Sequence, residues 1–432
     1  MKFALWIRGT DLSILRSVFV FTATNAIAAS MPLLLLPVLT HALSPASYGH
    51  VAMFTVVLTG FGALTGLSVH GAVGIRYFDR EQIDFSAYVG ACLSILLVTT
   101  LVTLALVFAL AEPLEGLTAL PRPWLLGAVI VSGLQFITLI RLSIYQSAKQ
   151  PGRFAAVRLS QAAADAVATL VFVLVLMLSW QGRLAAMSLA ICLLGLASLL
   201  TLLTGGWVSL HIRREHVVHA LRFGLPLIPH VVGGMMISMV DRFMITNILD
   251  VSSTGIYMVA VQIGLAVYLL ADGGSRAIQP WFIEGIRSGD DDKKRLMARI
   301  SILCFVGLAI VAALVGLAAP WYLHFLVDEA FQESAPLIIW IAMGQAFGGM
   351  YLVSANVIFY KQKTEYLAMI TILSGLLNAI LSFILLQAEG LKGAAHAYFI
   401  AQLFMFAATF ILAHKFHPLP WASALSGGIK VR

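Results

Sequence analysis

The stretch "LPLIPHVVGGMMISMVDRFMITNI", residues 225–248, is long and apolar enough to cross roughly 30 Å of hydrocarbon as a helix, yet it sets two charges, Asp241 and Arg242, side by side. Adjacent residues on a helix point about 100° apart, so the two are not expected to face and neutralise each other. Each then needs its own partner, or water. At the helical rise Asp241 lies about 24 Å into the span, in its outer quarter, where snorkelling to the outer headgroups competes with a buried role. The favoured reading has Arg242 lining an aqueous cavity, with Asp241 holding another cationic helix or a coupling ion.

The rest of the 432-residue chain fits a membrane solvent, with 60% hydrophobic and 11% charged residues where globular domains carry about 25% charged. Apolar runs of span length recur at about 18–38, 51–69, 88–110, 124–145, 155–178 and 184–207, then at 225–248, 256–275, 300–319, 337–358, 367–386 and 394–413. The first is too long for a removable leader. Lys and Arg placement tests this count independently. With the N-terminus inside, the outer loops hold only Arg122, Arg183 and Lys392, Arg242 sits inside a span, and the remainder of the 27 basic residues fall on the inner side. Both termini are therefore expected in the cytoplasm, and the net charge of +7 is a topology signal rather than a nucleic-acid footprint. The longest polar stretch, about Arg276 to Arg299, is expected to form a short surface helix with its acids at the N-terminal end.

The halves resemble each other. A shift of 206 residues lays Leu15-Arg16 on Leu221-Arg222 and "SYG" (47–49) on "STG" (253–255). The expected fold is an all-α polytopic membrane protein of about twelve transmembrane helices in two pseudo-symmetric six-helix lobes, residues 1–210 and 211–432, around a central cavity. Pro32 and Pro37 in the first span and Pro226 and Pro229 opening the seventh remove backbone donors and are candidate hinges. Gly62 with Gly66, and Gly344 with Gly348, have the small-xxx-small spacing of close helix packing.

Ionisable residues within spans are costly and default to functional candidates. Arg141 lies toward the inner end of the fourth span, where snorkelling competes with a cavity position. Asp165 follows Arg158 by two helical turns and shares its face, but the separation of about 10 Å leaves Arg141 on the antiparallel neighbour as the partner in view. His70, Arg76 and Tyr77 close the second span, and Asp272 and Arg276 the eighth; these could form an inner vestibule that attracts phosphate. Cys92, Cys192 and Cys304 lie in apolar runs and suit packing rather than a disulfide or metal site. "HIRREHVVH", 211–219, reads as a solvated basic loop. The sequence carries no phosphate-binding G-x-x-x-x-G-K-[ST] loop, and no metal or cofactor is expected.

"LSPASYGHVAMF", "GAVGIRYFDRE", "LRFGLPLIPHVVGGMMISMVDRFMI", "STGIYMVAVQI" and "YKQKTEY" together resemble the polysaccharide-transport flippases, O-antigen type, of the multidrug/oligosaccharidyl-lipid/polysaccharide exporter superfamily. The matching residues are Pro45, Tyr48, Gly49, Arg76, Tyr77, Pro226, Pro229, Asp241 and Arg242. The resemblance implies a non-enzymatic bacterial inner-membrane protein that moves an undecaprenyl-diphosphate-linked oligosaccharide outward through a cationic cavity, with membrane lipids, glycan polymerase and chain-length machinery as partners. Arg76, Arg141, Arg242 and Arg276, with Tyr77, are then expected at the headgroup, and Asp165, Asp241 and Asp272 as coupling or structural ion-pair residues. The rival readings are a drug/cation antiporter of the same superfamily and a membrane-embedded glycan polymerase or ligase. The orientation is testable with single cysteines in a cysteine-free background: an impermeant maleimide should label position 149 only from the cytoplasmic side and position 122 only from the outside.

Overall fold

The computed structural model describes residues 12–288 and 290–421, and among them there is no strand. The basic residues Lys2, Arg8, Lys430 and Arg432, on which the expected placement of the termini rests, lie outside the described residues. Helix is what the composition demands, because in hydrocarbon each backbone N–H and C=O must be satisfied within its own segment.

The helices group into two compact units, Met1–Val231 and Val232–Arg432. The first holds α1 (Leu12–Ala42), α2 (Pro45–Leu64), α3 (His70–Arg76), α4 (Phe85–Ala109), α5 (Ala111–Thr118), α6 (Arg122–Ser147), α7 (Pro151–Thr169), α8 (Ser179–Thr204) and α9 (Arg214–Gly224). α7 widens at its end into a π-helical turn, Leu170–Val175. Then come α10 (Ile228–Ile248), which straddles the division, α11 (Val251–Ser288), α12 (Asp291–Leu326), α13 (Ala335–Tyr360), α14 (Thr364–Glu389) and α15 (Leu391–Phe416). Twelve helical segments among the described residues are long and apolar enough to cross a membrane. In each unit the fourth span is the most deeply buried: α6 packs on α2, α3, α4 and α8, and α13 on α11, α12 and α15.

Local signals set many of the boundaries. Ser44 accepts the Ser47 N–H and Pro45 opens α2, where its missing donor costs nothing. Asp84 accepts from the Ala87 N–H at the start of α4; that bond and the Ser86 hydroxyl hold its carboxyl below the usual range. The polar stretch 276–299 departs from expectation. It forms no separate surface helix: α11 runs on to Ser288, and α12 starts at Asp291 under an Asp290 cap, with Asp291 and Asp292 in its first turn as the helix dipole favours.

The segment read as a basic loop is also helical. α9 spans Arg214–Gly224 and buries His216. Its His219 Nδ1 meets the Tyr88 hydroxyl of α4 at 2.9 Å, so this segment joins the first unit and the division falls later than residue 210. Burial and the nearby Arg76 guanidinium hold the His219 imidazole below its ordinary value.

The glycine pairs behave unequally. Gly344 faces α15, where an added Cβ would lie 2.7 Å from the Tyr398 ring, and Gly348 faces Gln402. Gly62 meets nothing within 4 Å, so close packing is not its role. Gly66 lies past the end of α2 with φ of +75°, against the Phe136 ring. Gly66→Ala should therefore lower the melting temperature by several degrees, reflecting a backbone cost on the order of 1–3 kcal/mol plus the clash, while Gly62→Ala should not lower it. Thermal unfolding in detergent compares the two.

Candidate functional site

The first unit carries a buried ion pair beside a cavity. Asp165 projects from α7, and Arg183 from the first turns of α8. Arg183 Nη1 donates to Asp165 Oδ1 at 2.5 Å, and Nη2 donates to Oδ2 at 3.2 Å. The Thr169 hydroxyl accepts from Arg183 at 2.7 Å and donates to the Asp165 carbonyl at 2.6 Å, so the guanidinium, 5% exposed, is held from two sides. Asp165 is thus answered by Arg183 and not by Arg141. The charge pattern had placed Arg183 in an outer loop; the structure starts the sixth span at Ser179, which brings Arg183 inside the helix and level with the acid.

Next to this pair lies a cavity of about 150 Å³ between α1, α7 and α8. Arg158, Gln161 and Asp165 line it from one face of α7, with Ala28 and Pro32 opposite. The shared face expected for Arg158 and Asp165 is therefore present. Pro32 has no N–H, so the Ala28 carbonyl lacks its helical donor at the cavity wall. Gln161 donates to Gln135 Oε1 at 2.7 Å, and its own Oε1 is buried without a hydrogen-bond partner.

Arg141 is 6% exposed, which rules out a side chain reaching into headgroup water from the protein surface. Its guanidinium lies 4.3 Å over the Tyr145 ring, while Nε and Nη1 have no hydrogen-bond partner. Tyr145 packs in turn with Phe154 and Val157 on α7. Arg141 stands six residues before the end of α6 and Arg158 seven after the start of α7, so both guanidiniums sit about 10 Å inside the same end of this antiparallel pair. Neither lies within 4 Å of a carboxylate among the described residues, whereas Arg183, Arg242 and Arg276 each do.

In the second unit Asp241 and Arg242 are 1% and 8% exposed. Contrary to expectation they do face each other: Arg242 Nη1 stands 3.6 Å from Asp241 Oδ1, which also accepts the Arg242 backbone N–H at 2.8 Å. A long guanidinium can fold back over the 100° that separates neighbouring Cβ directions. Asp241 Oδ2 accepts from the Tyr257 hydroxyl at 2.5 Å, so α11 supplies a neutral donor and not a second cation. Arg242 Nε points to the Met258 sulfur at 3.0 Å.

The remaining expected residues are mostly engaged. Arg76 Nη1 donates to Asp79 at 2.9 Å, leaving Nε buried and unbonded. Tyr77 sits among Phe78, Phe85 and Trp207 under the Arg80 guanidinium. Arg276 bonds Asp272 one turn back on α11 at 2.8 Å. Pro32 and Pro37 are interior to α1; Pro226 and Pro229 fall in the 3₁₀ turn and first turn of α10, at a junction where the backbone stays right-handed helical from α9 onward and the missing donors interrupt the α-helical bonding. Two residues were missed as site members: Arg158, weighed only as a partner for Asp165, and Arg183. The signal for Arg183 was present, since Asp165 needed a cation and Arg183 opens the adjoining span.

Comparison with known proteins gives the following. The sequence profile of the family described as "Polysaccharide biosynthesis protein" matches residues 14–285. "Lsg locus putative protein 1" of Haemophilus influenzae is 22% identical over 405 residues, 89% of this chain and 94% of that protein. An "Uncharacterized membrane protein" of the same organism is 25% identical over 385 residues, 84% and 88%. The fold is similar to "Lipid II flippase MurJ, inward closed conformation" (TM-score 0.69, 15% identity, 96% of this chain and 90% of that one). It is likewise similar to an inward-facing multidrug resistance MATE family transporter of the MOP superfamily (TM-score 0.72, 14% identity, 94% and 96%).

Removing Asp165 leaves the buried Arg183 charge unmatched. Asp165→Ala should destabilise the protein by about 3–5 kcal/mol, Arg183→Ala by less, because Asp165 is 20% exposed beside the cavity, and the double substitution should cost less than the sum of the singles. Thermal unfolding across that cycle measures the coupling; additive effects would show that the pair is energetically idle.

Proposed function

The chain belongs to the polysaccharide biosynthesis protein family and has the fold of the MOP-superfamily transporters, and on that premise we propose that it flips an undecaprenyl-diphosphate-linked oligosaccharide, an O-antigen, capsule or exopolysaccharide repeat unit, from the inner to the outer leaflet by alternating access. The observation that carries this reading is the pair of guanidiniums, Arg141 and Arg158, inside the first unit without an acidic partner. Arg141, kept from water and from carboxylates, is stable only if something else neutralises it. Arg158 faces the cavity with no carboxylate among the described residues within 4 Å, and a diphosphate would answer either guanidinium bidentately.

In this role Arg141 and Arg158 bind the diphosphate, and Gln161, with its free amide oxygen beside Arg158, accepts from a sugar hydroxyl or a bound water. Arg76, with its unbonded Nε, remains a headgroup residue, as do Arg242 and Arg276 when their pairs open; Tyr77 braces Arg80. Asp165, Asp241 and Asp272 are structural partners first, and coupling sites only where a proton or cation replaces the paired arginine. Pro32 and Pro37 serve α1 as the bend that access requires, whereas Pro226 and Pro229 set the entry into α10. The setting is the bacterial cytoplasmic membrane with both termini inside, next to the polymerase and chain-length machinery that would consume the product. No bond in the substrate is made or broken, which separates this reading from a polymerase or ligase. The two guanidiniums without a carboxylate partner, Arg141 and Arg158, favour it over a drug/cation antiporter.

Proteoliposomes loaded with labelled lipid-linked oligosaccharide test the proposal. Wild-type protein should exchange the intact lipid between leaflets. Arg141→Ala and Arg158→Ala should each slow exchange at least tenfold without loss of membrane insertion, and Arg158→Lys should restore only part of the rate, because an ammonium cannot make the bidentate contact. Cleavage of the diphosphate linkage, or exchange indifferent to both arginines, would sink the assignment.

A further inference from the structure

The two units keep one register through the first loop of each and then part at the end of the second span. α1 and α10 end at Ala42 and Ile248, and α2 and α11 begin at Pro45 and Val251, so the 206-residue shift read from the sequence holds across the first loop of each unit. Carried forward, it lays Gly66, Leu67 and Ser68 on Asp272, Gly273 and Gly274. In the first unit those three residues have φ of +75°, +49° and +59° and break the chain between α2 and α3. In the second unit the same positions are helical, and α11 continues unbroken to Ser288.

The helical state is weakly specified there. Glycine is a poor helix former, and neither glycine is needed for packing, since a Cβ at Gly273 or Gly274 would meet nothing within 4 Å. Left-handed backbone strains Leu67 and Ser68 but is unstrained for glycine. The second unit thus carries two glycines that could adopt the conformation of Leu67 and Ser68 without strain, preceded at the Gly66 position by Asp272, one of the few non-glycine residue types enriched in left-handed backbone. Pro280, six residues on, removes another donor from the same helix. Spanning the glycines is the Asp272–Arg276 bond of 2.8 Å, a contact that needs the helical turn between them.

We propose that α11 is a two-state element: continuous in the structure described here, and broken at Asp272–Gly274 in another stage of the transport cycle. Breaking the turn separates Arg276 from Asp272, so the guanidinium becomes available to an anionic headgroup in one state only. The inference rests on the alternating-access reading above, and it adds to that reading a switch in the second unit distinct from the proline bend of α1.

Spin labels at Ser253→Cys and Arg287→Cys, in a background lacking the native cysteines, should lie about 51 Å apart along an unbroken helix. In nanodiscs with lipid-linked oligosaccharide the wild-type background should show this distance and a second one shorter by at least 5 Å. The Gly273→Ala/Gly274→Ala variant should keep only the long distance, exchange lipid at least tenfold more slowly, and melt no lower than wild type. Asp272→Asn should enrich the short distance. A single long distance in wild type with and without the lipid, or wild-type exchange by the double-alanine variant, would overturn the switch. Two distances in a protein that exchanges no lipid would instead leave the switch standing and remove the transport reading.

Discussion

A charged side chain taken out of water must be matched by an opposite charge or by hydrogen bonds that replace its hydration, and that requirement organises both units. Asp165 could not sit in α7 without Arg183 arriving from α8, and the Thr169 hydroxyl completes the set. In the second unit Asp241 is met by its own neighbour and by Tyr257 from α11. Each arrangement ties adjacent helices together at a depth where apolar contacts alone do not dictate one register, since lipid tails compete equally for leucine and isoleucine surfaces.

The same requirement makes the unmatched groups informative. Arg141 is as buried as Arg242, yet only an aromatic face answers it. Arg158 opens onto the cavity with no carboxylate among the described residues within 4 Å, the Asp165 on the same wall being held by Arg183. A cation–π contact is worth about 0.5–2 kcal/mol, too little to offset full desolvation of a guanidinium. On the flippase reading proposed above, an anionic cargo would supply the remainder, and only when bound. The substrate would then belong to the charge balance of the first unit, which is a physical reason for a transporter to hold its cargo tightly inside the membrane and release it to water.

The proline and glycine positions show how one residue type takes different roles by place. Pro32 and Pro37 interrupt hydrogen bonds inside one long helix, while Pro226 and Pro229 mark the 3₁₀ junction at which α9 passes into α10. Gly66 is required by backbone conformation, Gly344 by the Tyr398 ring, and Gly62 by neither. Spacing alone cannot separate these cases, because the small-xxx-small pattern is the same in both pairs.

The number of spans, the helical class and the 206-residue repeat are properties of the sequence by itself. Hydrocarbon permits little but helix to a chain this apolar, and each span is recognised within about twenty consecutive residues, so no long-range information is needed. Pairings across helices were not legible in that way. That Asp165 meets Arg183, that Arg242 folds back on Asp241, and that Arg141 is left with Tyr145 depend on which helix faces arrive at the same depth. Shifting the start of α8 to Ser179 moved Arg183 from a loop into the interior. Only the tertiary structure fixes such partners, because a side chain's charge balance depends on atoms within a few ångströms, and in a bundle those atoms come from distant parts of the chain.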